Sequence, residues 1–300
     1  LQYSWIGFFQ DLATFKLGIS ISRAAWLASW MEQRLDEDRV RPHELTEVLG
    51  RMGFSAIALD FVKPFLGPLY AWSAAVPEYA KLRVPVLLRL IFTFLLKVFR
   101  TPDLFMITAW EPDKHATVEF FGDAHASLQS VGIGGYQAGL PIKEAKWFAT
   151  TLTAQSASWA FGFGEETFRA IAALELYTTL LCVKLLPRQT GAGNKRLQLS
   201  GATDNQGNAY ALSRWSTTTF PLCLILMELA IECRYNNVAL DLSWIPRDQN
   251  ALADDLSNGI CHAFSKDMRV PVDHDSMRFH VLTEMSAVAE DLYLDVANRK

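Results

Sequence analysis

A chain of 300 residues is long enough for two domains of ordinary size or one large one, and a composition that is half hydrophobic supports a buried core and excludes disorder. The formal net charge of −4 gives no overall footprint for nucleic acid, so any such role must rest on local basic clusters. The four cysteines, Cys182, Cys223, Cys233 and Cys261, show no CxxC pairing and no metal-ligand spacing with histidine, which points to buried, reduced thiols of an intracellular protein.

The chain starts at Leu1, without a charged leader, and reads as a piece of a longer product. Loose apolar–polar alternation with two glycines over the first twenty residues predicts strands or a hairpin. From Ser22 the period becomes helical, with Ala24, Ala25, Leu27, Ala28 and Met31 on one side and a charged run over 36–41 ending the segment. Pro42 opens a second helix, and a third runs through the apolar stretch 61–72. Residues 85–100 are too short and too charged to span a bilayer, which needs about 20 apolar residues. On a helix, Arg89, Thr93, Lys97 and Arg100 form one polar stripe, so this is an amphipathic helix and no membrane partner is expected.

Near residue 115 the texture changes. TVEFFGDAHA and VGIGGYQ read as strands, and either KWFATTLT or SASWAFGF supplies a third. A long helix is expected over 165–186, with acidic residues in its first turn, Lys184 in its last and Pro187 as the stop. A glycine-rich basic loop with Lys195 and Arg196 leads into a fourth strand, RLQLSGATD, and a helical stretch from about Asn205. FPLCLILMELAIEC is an apolar helix, VALDLSWI a fifth strand, and NALADDLSNG a short helix closed by Gly259; a last helix is expected over 276–296. This order predicts an α/β fold with a mixed five-stranded sheet and helices on its faces.

Four acids fall where such a sheet can bring them together: Asp123 at the end of the first strand, Glu175 within the long helix, Asp204 at the end of the fourth strand and Asp254 in the short helix. Hard divalent cations take oxygen ligands, and a carboxylate cluster can hold two ions about 4 Å apart for phosphodiester hydrolysis. Glu175 departs most from an ordinary solvated acid, because its helical neighbours are Ile171, Ala172, Thr178 and Thr179. A buried charge needs a partner or a metal. Asp204 can equally be read as a helix cap, and helical geometry alone does not choose between Asp254 and Asp255.

The segments FGDAHAS…VGIGGY, ALELYTTLL, ATDNQGN and WIPRDQNALADDLS together resemble the ribonuclease H domain of retroelement reverse transcriptases. The resemblance implies a ribonuclease-H-like sheet over 115–265, with Asp123, Glu175, Asp204 and Asp254 as catalytic and metal-binding acids. The closing motif Asn-x-x-Ala-Asp-x-Leu-Ser, here Asn250, Ala253, Asp254, Leu256 and Ser257, selects Asp254 over Asp255. It further implies Mg2+ (two ions, with Mn2+ as an alternative), an RNA–DNA hybrid as substrate, and an upstream polymerase domain of the same polyprotein as partner. Asn205 and Gln206 are expected at the nucleic acid, as are the phosphate-binding candidates Arg89, Lys97, Arg100, Lys195 and Arg196. More loosely, residues 1–114 look like the end of a reverse transcriptase palm running into a helical thumb or connection, without the polymerase's paired-aspartate motif; residues 266–300 form a helical tail. The histidine that many cellular ribonucleases H carry before the last acidic helix is missing, leaving His125 or His262 as substitutes. The rival expectations are an inert connection domain that only grips a hybrid, and the same fold acting on another substrate, as in transposases and resolvases.

Overall fold

The computed structural model describes residues 2–108, 116–127, 130–161, 167–186 and 196–299. The chain opens with strands β1 (Gln2–Trp5), β2 (Phe8–Asp11) and β3 (Lys16–Ile19), then helix α1 (Ile21–Glu37), which stops where Asp38 turns left-handed. The short strand β4 (Arg39–Val40) leads to α2 (Pro42–Ala58), with Pro42 at its first position as expected for a residue whose missing N–H costs nothing there. Helix α3 (Lys63–Ala75), strand β5 (Leu82–Arg83), helix α4 (Val86–Arg100) and strand β6 (Met106–Thr108) complete the first part. β1, β2, β3 and β6 form an antiparallel sheet in that order, and β4 pairs with β5. α4 is amphipathic, burying Leu87, Leu88, Ile91, Leu95 and Val98 against α1. Among the described residues no helix is long and apolar enough to cross a membrane.

The second part is an α/β layer. Its strands are β7 (Phe120–Ala126), β8 (Val131–Gln137), β9 (Trp147–Leu152), β10 (Leu197–Thr203) and β11 (Val238–Trp244). Interleaved with them are α5 (Ser158–Phe161), α6 (Ile171–Leu185), α7 (Gln206–Arg214), α8 (Leu222–Tyr235), α9 (Ala251–Ser257) and finally α10 (Leu282–Asn298). The sheet runs β11-β10-β7-β8-β9, with β10 parallel to both β7 and β11 and the β7–β8–β9 meander antiparallel. Of the two candidates for the third strand, 147–152 takes the place, whereas Ser158–Phe161 is a short helix. The long helix starts at Ile171 after a 3-10 turn at Thr167–Ala170; the acidic first turn expected at Glu165 and Glu166 and the Pro187 stop lie outside the described residues.

Side-chain alternation along β7 and β8 separates the two faces. A Cβ on Gly122 would lie 3.0 Å from Thr178 of α6, and one on Gly135 would meet Cys182 of the same helix. On the opposite face, a Cβ on Gly132 would stand 1.9 Å from the Ser257 carbonyl, and one on Gly134 only 2.5 Å from Leu256 Cβ and 2.7 Å from the Ser257 nitrogen. Helices therefore cover both faces. The bare backbone at 132 and 134 lets α9 lie directly on the sheet beside Asp123, which pairs with Gly134 in the register.

The last helix begins at Leu282, six residues later than its sequence suggests, and the cause lies far away in the chain. Its first N–H groups have no local cap. Glu228 of α8, fully buried, accepts hydrogen bonds from the backbone N–H of His280, Val281 and Leu282 at 2.8–3.0 Å. A carboxylate at a helix N-terminus is favoured by the helix dipole and satisfies donors that would otherwise be orphaned. α10 then packs on α3, α4 and α8, and one hydrophobic cluster runs from Ile19 through the sheet to Val296. Among the described residues all four cysteines are free, with Cys182, Cys223 and Cys233 buried.

Candidate metal centre

Three elements bring acids to one place. Asp123 lies midway along β7, on the face covered by α9, and is almost fully buried. Glu175 sits in the second turn of α6. Asp204 follows the last residue of β10. Carboxylate oxygens of the three lie within 4.8 Å of one another.

Each carboxylate is held by a neutral donor. Ser257 of α9 donates from Oγ to Asp123 Oδ2 at 2.9 Å. Asn250, itself buried, donates from Nδ2 to Asp204 Oδ1 at 3.2 Å and to the Gly122 carbonyl at 3.3 Å, tying the loop before α9 to β7. Asn208 of α7, also buried, donates to the Ala172 carbonyl at 2.8 Å and reaches Glu175 Oε2 at 3.5 Å. The side-chain carbonyl oxygens of Asn208 and Asn250 have no partner. Asn205 caps α7, its Oδ1 accepting from the Asn208 N–H at 3.1 Å, so the capping role open to Asp204 belongs to its neighbour.

The electrostatics follow from burial and crowding. Burial pushes the Asp123 carboxyl up to about 6, against the Ser257 hydrogen bond, and the charges of Asp204 and Asp254 add to the rise. Glu175 is pushed up to about 8, first by burial and then by the charge of Asp123, with a hydrogen bond from Asn205 pulling the other way. Among the described residues no Lys, Arg or His forms an ion pair with any of the three. A buried cluster of negative oxygens with only neutral donors around it is the donor set that a hard divalent cation satisfies.

Asp254 stands apart from this trio. It lies on α9 close enough for its charge to raise Asp123, but its Oδ1 is bound by the Arg247 guanidinium at 2.7 Å, and Asn258 Nδ2 lies 3.4 Å from its Oδ2. Its neighbour Asp255 forms no ion pair among the described residues and is not among the acids felt by Asp123. Arg247, most of whose side chain is exposed, also acts on the cluster, its charge lowering the pKa of Glu175.

The basic residues expected at nucleic acid are mostly committed elsewhere. Arg89 bridges to Asp38, Arg100 to Glu32, and Arg196 to Asp60 at 2.9 Å. Lys97 and Gln206 are exposed, and Lys195 lies outside the described residues. Of the two substitute histidines, His262 is exposed, and its backbone carbonyl accepts a hydrogen bond from Lys143. His125 follows Asp123 by two residues on the same strand face and lines a polar cleft of about 510 Å³ with Thr151, Ser257, Asn258 and Arg269.

Sequence reasoning did not assign roles to Asn208, Ser257 or Arg247. The signal for Ser257 and Asn250 was present, since both belong to the closing motif; Arg247 stands in the same segment, three residues before Asn250. No protein-family model and no curated protein matches the chain.

Proposed function

We propose that this chain is a divalent-metal-dependent nuclease that hydrolyses the RNA strand of RNA–DNA hybrids, as the ribonuclease H part of a retroelement reverse transcriptase polyprotein. The observation that carries the reading is the convergence of Asp123, Glu175 and Asp204, from three elements far apart in sequence, into one buried acidic cluster that forms no ion pair with Lys, Arg or His among the described residues. The ribonuclease-H resemblance ties that cluster to phosphodiester hydrolysis. Asp123, Glu175 and Asp204 would hold the ion, and Asp254 would complete the set for a second. The all-oxygen donor set suits magnesium, with manganese next. Bound there, the ion supplies Lewis acidity, lowering the pKa of a water and neutralising charge on a phosphoryl oxygen.

The remaining work belongs to the chain's own side chains. Ser257 fixes the rotamer of Asp123, Asn250 that of Asp204, and Asn205 with Asn208 that of Glu175, so the donor set is built before any ligand arrives. The products would be a 5′-phosphate and a 3′-hydroxyl. One observation favours a second reading, an inert domain that only grips a hybrid: Arg247 already occupies Asp254.

The test is cleavage of a labelled RNA–DNA hybrid in magnesium, with single-stranded RNA and duplex DNA as controls, beside thermal melting with and without the ion. Asp204→Asn keeps the shape of the side chain and removes one charge, so hybrid cleavage should collapse while the fold persists. Wild-type-like cleavage by Asp204→Asn overturns the site. A folded wild type that binds hybrid and cleaves nothing establishes the gripping reading instead.

A further inference from the structure

We propose that a cleft between the β1–β2 turn and helices α1 and α2 binds a phosphate of a nucleic-acid strand through Arg23 and Arg51. The cleft, about 330 Å³, is lined by Gly7, Ser20, Ser22, Arg23, Trp26 and Arg51. It is independent of the metal centre, and no residue of the acidic cluster lines it.

Several arginines lie over aromatic rings, but Arg214, Arg234 and Arg269 also donate hydrogen bonds, to the Tyr210 hydroxyl and to the Asp103 and Ala149 carbonyls. Arg34, Arg41, Arg83, Arg89, Arg100 and Arg196 each bind a carboxylate. Arg23 and Arg51 instead lie over aromatic rings: Arg23 at 4.1 Å from the centroid of Phe54, and Arg51 at 4.2 Å from that of Trp26. Among the described residues neither side chain has an ion-pair or hydrogen-bond partner. Stacking engages the face of a guanidinium and leaves its in-plane N–H donors free. It also restrains the fork, so less side-chain entropy is lost when an oxyanion arrives.

The backbone is shaped to the same end. Gly7 has a left-handed φ of 84°, and a Cβ there would lie 2.5 Å from the Arg23 guanidinium, so only glycine lets that group seat against the turn. The hydroxyls of Ser20 and Ser22, 3.2 Å apart, offer further donors at the cleft wall. Planar forks with hydroxyls nearby match the tetrahedral oxygens of a phosphate. The occupant is a strand rather than free phosphate because apolar rings stand exposed beside the charges. Trp26, in the cleft itself, is 41% exposed, and Trp5, two residues before Gly7, is 67% exposed. Exposed aromatic rings beside a basic groove form the surface on which bases stack.

The experiment measures binding of a fluorescein-labelled 20-nucleotide single strand by anisotropy between 50 and 200 mM KCl, in EDTA. Wild type is compared with Arg51→Gln and with Arg23→Gln/Arg51→Gln. Two lost phosphate contacts on a single strand should flatten the slope of log K against log salt by about 1.4, and Arg51→Gln alone, at an exposed position, by about 0.7. Melting curves confirm that each variant is folded, and if the double variant is not, Arg51→Gln decides the matter. In a parallel arm, inorganic phosphate is tested for raising the melting temperature. If strand affinity and slope are the same in wild type and variants, or if wild type binds no strand, the proposal is overturned. Phosphate stabilisation that the variants lose, with strand binding unchanged, also overturns it and marks the cleft as a site for the free ion.

Discussion

Glu175→Gln removes one negative charge from the acidic trio while keeping the shape of the side chain. The Glu175 carboxyl is pushed from its ordinary 4.5 up to about 8, chiefly by burial and then by Asp123. At the usual conversion that difference is on the order of 5 kcal/mol of folding free energy. The folded-state pKa is the higher one, so this contribution is fully present below about pH 4.5 and is lost as pH rises through about 8. The neutral amide escapes the loss. In EDTA, wild type and variant should therefore melt alike near pH 4.5 and diverge as pH rises, with the variant the more stable by pH 9. For 300 residues, at about 2.1 cal/mol/K of unfolding entropy per residue, the full effect is a gap of about 8 °C. Magnesium at a hundredfold excess over its dissociation constant should return about 2.7 kcal/mol to the wild type and much less to the variant. The assay is differential scanning calorimetry at several pH values, with EDTA and then with magnesium. Taking the difference between two proteins removes the titration of shared groups that are not coupled to Glu175, including His274, whose folded-state pKa is depressed by burial. Superimposable pH profiles would refute the claim that this carboxyl is desolvated beside other acids.

Gly134→Ala places a methyl group 2.5 Å from Leu256 Cβ and must push α9 off the sheet, costing about 1–3 kcal/mol in a urea titration and weakening manganese binding by displacing Ser257 from Asp123. A variant with unchanged midpoint and unchanged metal affinity would show that α9 can give way freely. Glu228→Gln replaces a charged cap with a neutral one and should cost about 1–2 kcal/mol, read as faster amide hydrogen exchange at His280, Val281 and Leu282. Unaltered protection at those amides would mean that α10 is held by its apolar face alone.

What the sequence made legible is what local pattern encodes. The period-two runs gave four strands directly, and the third was narrowed to two segments, of which only 147–152 lies in register with β8. The choice was invisible locally, because SASWAFGF carries three aromatic residues against two in KWFATTLT; what separates them is the partner strand. Three of the four acids converge, although Asp123, expected at the end of its strand, lies midway along β7, because the strand continues through Ala124, His125 and Ala126; only Asp204 sits at a strand end that punctuation marks. Asp204 illustrates the limit. Its segment, GATDNQGN, contains an acid and an amide side by side, and both cap helices well. Only the hydrogen bond from the Asn208 N–H to Asn205 separates the cap from the metal-site candidate.

Pairings across long sequence distances were the part that could not be read. Arg89, Lys97 and Arg100 make one stripe on α4, and a stripe of cations invites a polyanion. Folding brings α1 against α4, and with it Glu32 and Asp38, more than fifty residues away, which neutralise two of the three. Lys184 was read as a helix-end charge, yet it also meets Glu232 of α8 at 2.5 Å. The same packing explains why an apolar helix keeps two glutamates: Glu232 answers Lys184, and Glu228 answers the bare amides of α10. A charge on an apolar helix therefore has two different meanings in this chain. At 228 and 232 it is satisfied by donors delivered from other elements. At 175 the neighbours delivered by folding include two more carboxylates, and the carboxyl is pushed up, first by burial and then by the charge of Asp123, whereas the Lys184 ammonium holds Glu232 below its ordinary value.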